Sequence, residues 1–371
     1  MKDSPSPLTN APRRSAFRRR LLRWYDREKR ELPWRETVDP YAIWLSEIML
    51  QQTTVATVLP RWERFLARWP TVEELAAAPA AEVLHEWSGL GYYARARNLH
   101  RAAGIVAREH AGRLPSTVEE LRRLPGMGPY TAAAVASIAF GEAVAVLDAN
   151  VERVLARLVA LEEDSRSAGG KRHLREWAAA LLDPNRPGDH NQALMELGAT
   201  LCTPKAPACG RCPAAGDCLG RRSGQPERYP LRPARAPMEQ AREVALVLAR
   251  GGRFLVLRRQ DGVSFGGMWE LPRVRCTANE EPGKAAHRAA RELARLPAAK
   301  VTGPLLELRH TVMRTKIHLM LWRAAAGAGA VSLRPPHCEF RWIRPRDWAE
   351  LPKSSTQARI ARYLLREGQK K

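Results

Sequence analysis

The sequence predicts a multidomain chain, an all-α region followed by a smaller α+β domain. Three observations carry that reading. At 371 residues, 45% of them hydrophobic, the chain is long enough for two or three domains with real cores. Apolar residues between positions 40 and 220 recur at helical spacing, with no stretch of strand period. Within a Pro- and Arg-rich stretch, LGRRSGQPERYPLRPARAPM at 219–238, the helical pattern ends, and beyond it apolar and polar residues alternate as in strands.

Taken in order, residues 1–14 carry Pro5, Pro7 and Pro12 among mostly polar neighbours and predict a disordered basic tail. Residues 15–31 predict a helix with Phe17, Leu21, Leu22 and Tyr25 on one stripe, broken by Leu32-Pro33-Trp34-Arg35. Residues 40–55, PYAIWLSEIMLQQTTV, predict the next helix, with Asp39 as N-cap and Pro40 in its first position. Amphipathic helices then alternate with Pro60, Pro70, Pro79, Gly89 and Gly91 as punctuation. In STVEELRRLPGMGPYTAAAVASIAFG at 116–141, Ser116 and Glu119 predict a capping box. One helix should end at Pro125, Gly126-Met127-Gly128 should turn, and a second helix should start near Pro129. After the linker, 223–238, residues 244–249 and 254–258 predict a hairpin across Gly251-Gly252. Residues 305–322 read as one long or bent strand, 339–343 as another, and 285–296 and 355–365 as helices.

The formal net charge is +22 and the pI about 10.6. A chain this basic most often meets a polyanion, and nucleic acid is the commonest. No apolar run approaches ~18 residues, so no membrane span is expected. The first twenty residues lack the apolar core of a secretory signal; being Arg-rich and acid-poor, they are compatible with an organellar transit peptide. The expectation is a cytoplasmic, nucleoid-associated monomer if the source is bacterial. Four of the six cysteines fall at Cys202, Cys209, Cys212 and Cys218. That clustering points to a metal or cluster site in a reducing compartment rather than to disulfides, and zinc and a 4Fe-4S cluster both answer it.

Two carboxylates stand out. Glu47 has Ile43, Trp44 and Leu50 as helical neighbours. A carboxyl among apolar groups loses hydration of its charged form, holds its proton at neutral pH and can deliver it. Asp148, in VAVLDANVERVLARL at 144–158, stands ahead of a helix. An N-cap there should be held ionised by backbone N–H groups and the helix dipole. The two pKa values should therefore be pushed apart, as for a proton donor paired with an anion that stabilises positive charge. The turn at Gly126 and Gly128 leaves N–H groups at a helix N-terminus, a seat for phosphate.

At this point the sequence resembles the A/G-specific adenine DNA glycosylases, the MutY family. LPWR at 32–35, WLSEIMLQQT at 44–53, GLGYYARARNLH at 89–100, LPGMGPYTA at 124–132, LDANVERVLAR at 147–157, Asn191-Gln192 before ELGAT, and the cysteine loop carry the likeness, over residues 15–222. The resemblance implies a helix-hairpin-helix glycosylase module at 41–149, with 15–40 and 150–222 forming the part that bears a 4Fe-4S cluster. It implies duplex DNA with adenine opposite 8-oxoguanine or guanine as substrate. By motif, Glu47 protonates the adenine, while Asp148 stabilises the oxocarbenium ion and can bond transiently to the sugar. Tyr130 and Asn150 join that site. Arg35, Leu50 and Gln192 look like contacts to the flipped adenine. Gln52, Thr53, Leu90 and Tyr92 look like the group that fills the duplex gap, and Gly126 and Gly128 like the phosphate-binding hairpin. Strand-cutting relatives of the endonuclease III type carry lysine where this chain has Tyr130, and a phenol cannot form a Schiff base. The likeness therefore implies a monofunctional glycosylase.

Residues 239–367 resemble the Nudix-like domain of the same family through GGMWELPRV at 266–274. Arg291-Glu292-Leu293 matches the start of a Nudix box, but Ala294, Arg295 and Leu296 stand where a spacer and two metal-binding acids belong. The domain is expected to recognise the base opposite the adenine. Where relatives carry Phe-Ser-His after His-Thr, this chain has Val312-Met313-Arg314. Arg314 either bonds acceptors on the guanine edge or is one more surface arginine. A non-catalytic DNA-binding or redox-sensing protein would not need Glu47 with Asp148, and a strand-cleaving lyase would need an amine near Tyr130.

Overall fold

The computed structural model describes residues 10–232 and 237–368. Among the described residues twelve α-helices precede the strands: α1 Ala11–Glu28, α2 Pro40–Leu50, α3 Val55–Arg68, α4 Val72–Ala77, α5 Ala80–Glu86, α6 Ala94–Glu109, α7 Val118–Leu121, α8 Pro129–Ala139, α9 Ala149–Leu158, α10 Ala168–Leu181, α11 Pro187–Thr200 and α12 Leu219–Arg222. By internal contacts the described residues fall into two compact units, one of 10–77 with 98–232, the other of 78–97 with 237–368. No shift in composition marks 78–97 as part of the second unit.

In the first unit, α1 packs on α11, and its Phe17, Leu21 and Tyr25 share one core with Leu194 and Leu197 of α11 and Val151, Val154 and Leu155 of α9. α2 differs from these amphipathic helices. Every residue from Tyr41 to Met49 is buried, the mark of a helix enclosed on all sides. Asp39 caps it, accepting from Tyr41 N at 3.0 Å and Ala42 N at 3.3 Å. α8 packs on α2, and its run Thr131–Ser137, mostly alanine, is buried throughout. Small side chains allow that close approach.

Several expectations are corrected. Residues 1–9 of the expected tail lie outside the described residues, but helix α1 already starts at Ala11. Pro12 sits in its first turn, where a missing N–H costs nothing. Pro60 lies inside α3 rather than between helices; its fixed φ suits the helix, and one backbone bond is lost. The cap of α7 is Thr117, whose Oγ1 accepts from Glu120 N at 3.3 Å and bonds Glu120 Oε2 at 2.8 Å. The capping pair is thus one residue later than Ser116 and Glu119. The expected linker is anchored near its middle, since Tyr229 joins the core of the first unit.

The second unit is built on a seven-stranded sheet: β1 Glu239–Arg250, β2 Arg253–Arg259, β3 Trp269–Glu270, β4 Arg273–Arg275, β5 Ala298–Val312, β6 Thr315–Ala326 and β7 His337–Ile343. The path runs β3-β2-β1-β6-β5, with β4 on β1 and β7 on β2. β1 and β6 are parallel, from Glu239 opposite Thr315 to Ala249 opposite Ala325. The remaining pairs are antiparallel. α13 Pro282–Ala294 covers one face with its alanines, against Val244, Leu246, Leu255 and Leu257. α14 Ser355–Gly368 and Trp348 cover the other, against Ala245, Val247, Phe254 and Val256. β1 is buried on both faces, so it reads as a continuous apolar run.

Residues 305–322 are not one strand. They belong to a hairpin in which Val312 pairs with Thr315 across a turn of Met313 and Arg314. Met313 takes a φ of +51° there and is 93% exposed. A two-residue turn without Asn, Asp or Gly carries no turn signal. Arg295, in the first of the two acid positions, ends α13 in left-handed backbone, and Glu292 pairs with Arg288 at 3.2 Å.

Candidate active site

α2 places Glu47 inside the first unit, 7% exposed. Tyr130, near the start of α8, donates its hydroxyl to Glu47 Oε2 at 2.8 Å and also reaches Met195 Sδ of α11 at 3.2 Å. Burial lifts the Glu47 carboxyl to about 7; the Asp148 charge adds to the rise, while the Tyr130 hydrogen bond and the Arg35 charge oppose it. Burial also holds the Tyr130 hydroxyl well above its ordinary range, helped by the charges of Glu47 and Asp148. The pair therefore meets as a carboxyl and a neutral phenol.

Asp148 is the N-cap of α9, accepting from Val151 N at 2.7 Å and from Asn150 Nδ2 at 3.0 Å. The cap is as expected, but its pKa is not lowered. Burial raises it, and the bonds from Val151 and Asn150 only partly offset that. The cause is depth, which outweighs the N-cap and dipole contributions. Both carboxyls are thus pushed up rather than apart. From Asp148 a hydrogen-bonded path leads outward: Asn150 Oδ1 accepts from Arg153 Nη2 at 2.9 Å, and Arg153 Nε donates to Cys202 O at 2.8 Å. Gly198 of α11 makes room for it. A Cβ there would lie 2.6 Å from that of Asn150.

Arg35 sits on a 3-10 turn, Pro33–Arg35, and is held by Glu196, whose Oε2 accepts from its Nη2 at 2.8 Å. Arg30 bonds both Glu196 oxygens at 2.7 and 2.8 Å. Burial raises the Glu196 pKa, but these arginines more than reverse that, to about 2. The carboxylate is therefore ionised and fixes Arg35, whose charge reaches Glu47. Gln192 lies on α11 and Leu50 ends α2, both half-buried. Asn191 is fully engaged in the core, accepting from Val146 N at 3.1 Å and donating to Ser137 Oγ and Val144 O.

Of the residues matched to DNA contacts, Gln52 is exposed with a φ of +56°, and Thr53 bonds back to Leu50 O and Gln51 O. Gly126 turns the hairpin with a φ of +82°, where a Cβ would strike Asn98 at 2.7 Å, and Gly128 caps α8 facing open space. Leu90, Tyr92 and Arg314 belong to the second unit. Leu90 is 4% exposed, so in the free protein it is a core residue, whereas Tyr92 is 57% exposed with a φ of +45°. Arg314 is exposed at the hairpin tip, with a bond to Pro237 O at 3.5 Å.

Cys202, Cys209, Cys212 and Cys218 are half-buried free thiols that line one small pocket together with Arg157, Leu201, Pro207 and Pro226. Among the described residues no three His, Cys, Asp or Glu side chains are arranged to hold a single metal ion. All four cysteines nevertheless line the same pocket. Arg157, buried, donates to Cys202 Sγ at 3.3 Å and to the carbonyls of Thr203 and Pro204 at 2.7 and 3.0 Å. Arg221 N donates to Cys218 Sγ at 3.4 Å.

Sequence reasoning missed Arg30, Arg153, Arg157 and Glu196. All four lie in or beside stretches already singled out, but their partners are distant in sequence and no local pattern names them.

Residues 45–180 match the family described as HhH-GPD superfamily base excision DNA repair protein, and 243–363 match a NUDIX domain. An adenine DNA glycosylase of Homo sapiens is 36% identical over 409 residues, covering 94% of this chain and 74% of that protein. One of Mycobacterium tuberculosis is 44% identical over 223 residues, covering 60% of this chain and 73% of its own. Among solved structures, a thermostable thymine-DNA glycosylase superposes with a TM-score of 0.53 at 30% identity, covering 57% of this chain and 98% of that one. A trapped endonuclease III–DNA covalent intermediate shares the fold, with a TM-score of 0.50 at 21% identity over 58% of this chain and 98% of that one. A helix-hairpin-helix module with a buried acid in its centre, a Nudix-like domain following it in the sequence and relatives that align along both place this chain in the adenine DNA glycosylase, or MutY, family of base excision repair enzymes.

Proposed function

We propose that the enzyme removes adenine paired with 8-oxoguanine or guanine in duplex DNA, as a monomer and without cutting the strand. The observation that carries the mechanism is Glu47, a buried carboxyl lifted to about 7 beside a neutral phenol. A base stacked in a duplex cannot reach it, so the nucleotide must be extruded. Glu47 then protonates the adenine, which leaves as a neutral base, and positive charge develops on the sugar. Asp148, ionised once the pH exceeds its raised pKa, stabilises that charge or bonds transiently to the sugar carbon. Asn150 holds the Asp148 oxygen in place. Arg35, fixed by Glu196, Leu50 and Gln192 contact the extruded adenine. Gln52, Thr53, Leu90 and Tyr92 meet the gap in the duplex; for Leu90, that requires it to leave its buried position. Gly126 and Gly128 seat a backbone phosphate. Tyr130 supplies no amine for a Schiff base, which supports the monofunctional reading. Arg314, at the tip of the β5–β6 hairpin, reads the base opposite.

Four free thiols lining one pocket suit a 4Fe-4S cluster, which takes one thiolate at each iron. Cys202, Cys209, Cys212 and Cys218 would hold it, and Arg157 and Arg221 N would donate to two of the sulphurs. Bound there, it would cross-link the loop that Arg153 joins to the Asp148 helix and supply one-electron chemistry. Placement at the nucleoid in a bacterial cell accords with the +22 charge.

The test is a duplex bearing adenine opposite 8-oxoguanine, incubated with and without alkali. Cleavage only after alkali is the expected result. Cleavage without alkali would mean a lyase, and none at all would mean binding alone. Iron analysis should give about four irons per chain, and stoichiometric zinc under iron-replete anaerobic conditions would overturn the cluster assignment.

A further inference from the structure

The loop that presents Tyr92 is built into the C-terminal unit, not into the catalytic one. Two side chains, one just before α6 and one in its first turn, fasten it there. Tyr93 donates its buried hydroxyl to Lys353 O at 2.8 Å, and Arg97 Nη1 donates to Gly266 O at 2.6 Å. Gly266 opens the GGMWELP stretch, so this remnant of Nudix sequence supplies a backbone carbonyl to the fastening. A Cβ on the neighbouring Gly267 would lie 3.5 Å from Leu84 of α5, in ordinary contact. Between the two anchors sits Arg95, whose Nη2 donates to Leu90 O at 2.8 Å and Gly91 O at 3.2 Å. Its guanidinium lies 5.3 Å from the Trp87 ring centre and 5.6 Å from that of Tyr92. Trp87 Nε1 adds a bond to Gly91 O at 3.0 Å. The result is an exposed tyrosine in left-handed backbone, held from below by a cation stacked on its ring.

We propose that Tyr93 and Arg97 are positioning residues through which the C-terminal unit holds Tyr92 ready to fill the gap left by the extruded adenine, with Arg95 passing that hold to the Tyr92 ring. The proposal rests on the gap-filling reading of Tyr92. A flexible tyrosine would have to be ordered during extrusion; one held in advance avoids that cost. On this view the unit that faces the opposite base also sets how readily the adenine leaves the stack, and the 266–267 turn is kept for its backbone carbonyl rather than for a metal site.

The test uses the full chain and a duplex with 2-aminopurine beside a non-hydrolysable 2′-fluoro adenine nucleotide, so that fluorescence reports extrusion apart from chemistry. Tyr93→Phe removes only the hydroxyl, Arg97→Met removes the donor, and Arg97→Lys keeps one. Tyr92→Ala is the reference. Tyr93→Phe and Arg97→Met should each lower the extruded fraction about fivefold, the scale of one net hydrogen bond. Arg97→Lys should recover most of it, and the alkaline limb of the pH–rate profile should not move. Melting curves identify any variant that fails to fold, and the other variant then decides. If Tyr92→Ala lowers extrusion while folded Tyr93→Phe and Arg97→Met do not, the positioning role is wrong and the gap-filling reading stands. If Tyr92→Ala itself leaves extrusion unchanged, that reading fails and the proposal with it.

Discussion

Glu47→Gln should weaken the enzyme and stabilise its fold, and the second effect should depend on pH. The folded carboxyl keeps its proton to about 7, against 4.5 for an ordinary Glu. Between those values the folded chain binds more protons than the unfolded chain, so stability falls as pH rises. The contribution is full below the unfolded pKa and lost once the pH has risen through the folded one. A rise from 4.5 to about 7 is worth roughly 3 kcal/mol at about 1.4 kcal/mol per pH unit. Glutamine keeps the volume, can still accept from Tyr130 and cannot ionise. Urea melts of both proteins at pH 5 and pH 8 should therefore show the variant gaining about 2–3 kcal/mol on the wild type between the two. Titrations of groups that do not interact with Glu47 cancel in this difference. Adenine release should fall by at least ~10²-fold, the scale of a lost general acid. The wild-type rate should decline on the alkaline side with an apparent pKa near 7. A stability difference that does not change with pH would mean that Glu47 ionises normally in the fold, and the proton-donor argument would fall with it.

Three further outcomes are expected. Tyr130→Lys should give partial strand cleavage trappable by borohydride, because an amine beside Glu47 can attack the sugar aldehyde; absence of a trapped adduct would argue against the geometry. Arg153→Met cuts the path from Asn150 to Cys202 O, so it should slow adenine release about tenfold or more and lower iron retention, read by single-turnover rates and iron analysis. Arg314→Ala should shrink the preference for 8-oxoguanine over guanine by ~1–3 kcal/mol if the side chain reads a base edge. An equal loss for both duplexes, with the salt slope flatter by about one, would assign it to phosphate instead.

Most of the helical layout was legible, because core-facing stripes such as Phe17, Leu21 and Tyr25 show their period directly. Burial of Glu47 was legible for a related reason, since nearly every neighbour on α2 is apolar. What stayed hidden has physical causes. The β5–β6 hairpin turns at Met313 and Arg314, and a turn without Gly, Asn or Pro leaves the alternation running on. The attachment of 78–97 to the C-terminal unit includes two carbonyl acceptors, Lys353 O and Gly266 O. A carbonyl is present at every residue, so no side-chain pattern can announce such a contact.

The Asp148 expectation failed for a more instructive reason. Its motif was read correctly as an N-cap, and the cap bonds are present at 2.7 and 3.0 Å. An N-cap at the surface would be an acid stronger than usual, because N–H groups and the helix dipole favour the anion. Here α9 starts within the fold, and lost hydration outweighs those bonds. Local pattern specifies which donors a carboxylate meets; only the tertiary fold specifies how much water it loses. The consequence for catalysis is favourable. An anion poorly solvated before the reaction gains more when positive charge appears beside it, because the surroundings screen that attraction less. With Glu47 raised by the same burial, the proton donor and the poorly solvated anion of the proposed mechanism would follow from one cause, the depth at which α2 and the start of α9 are set.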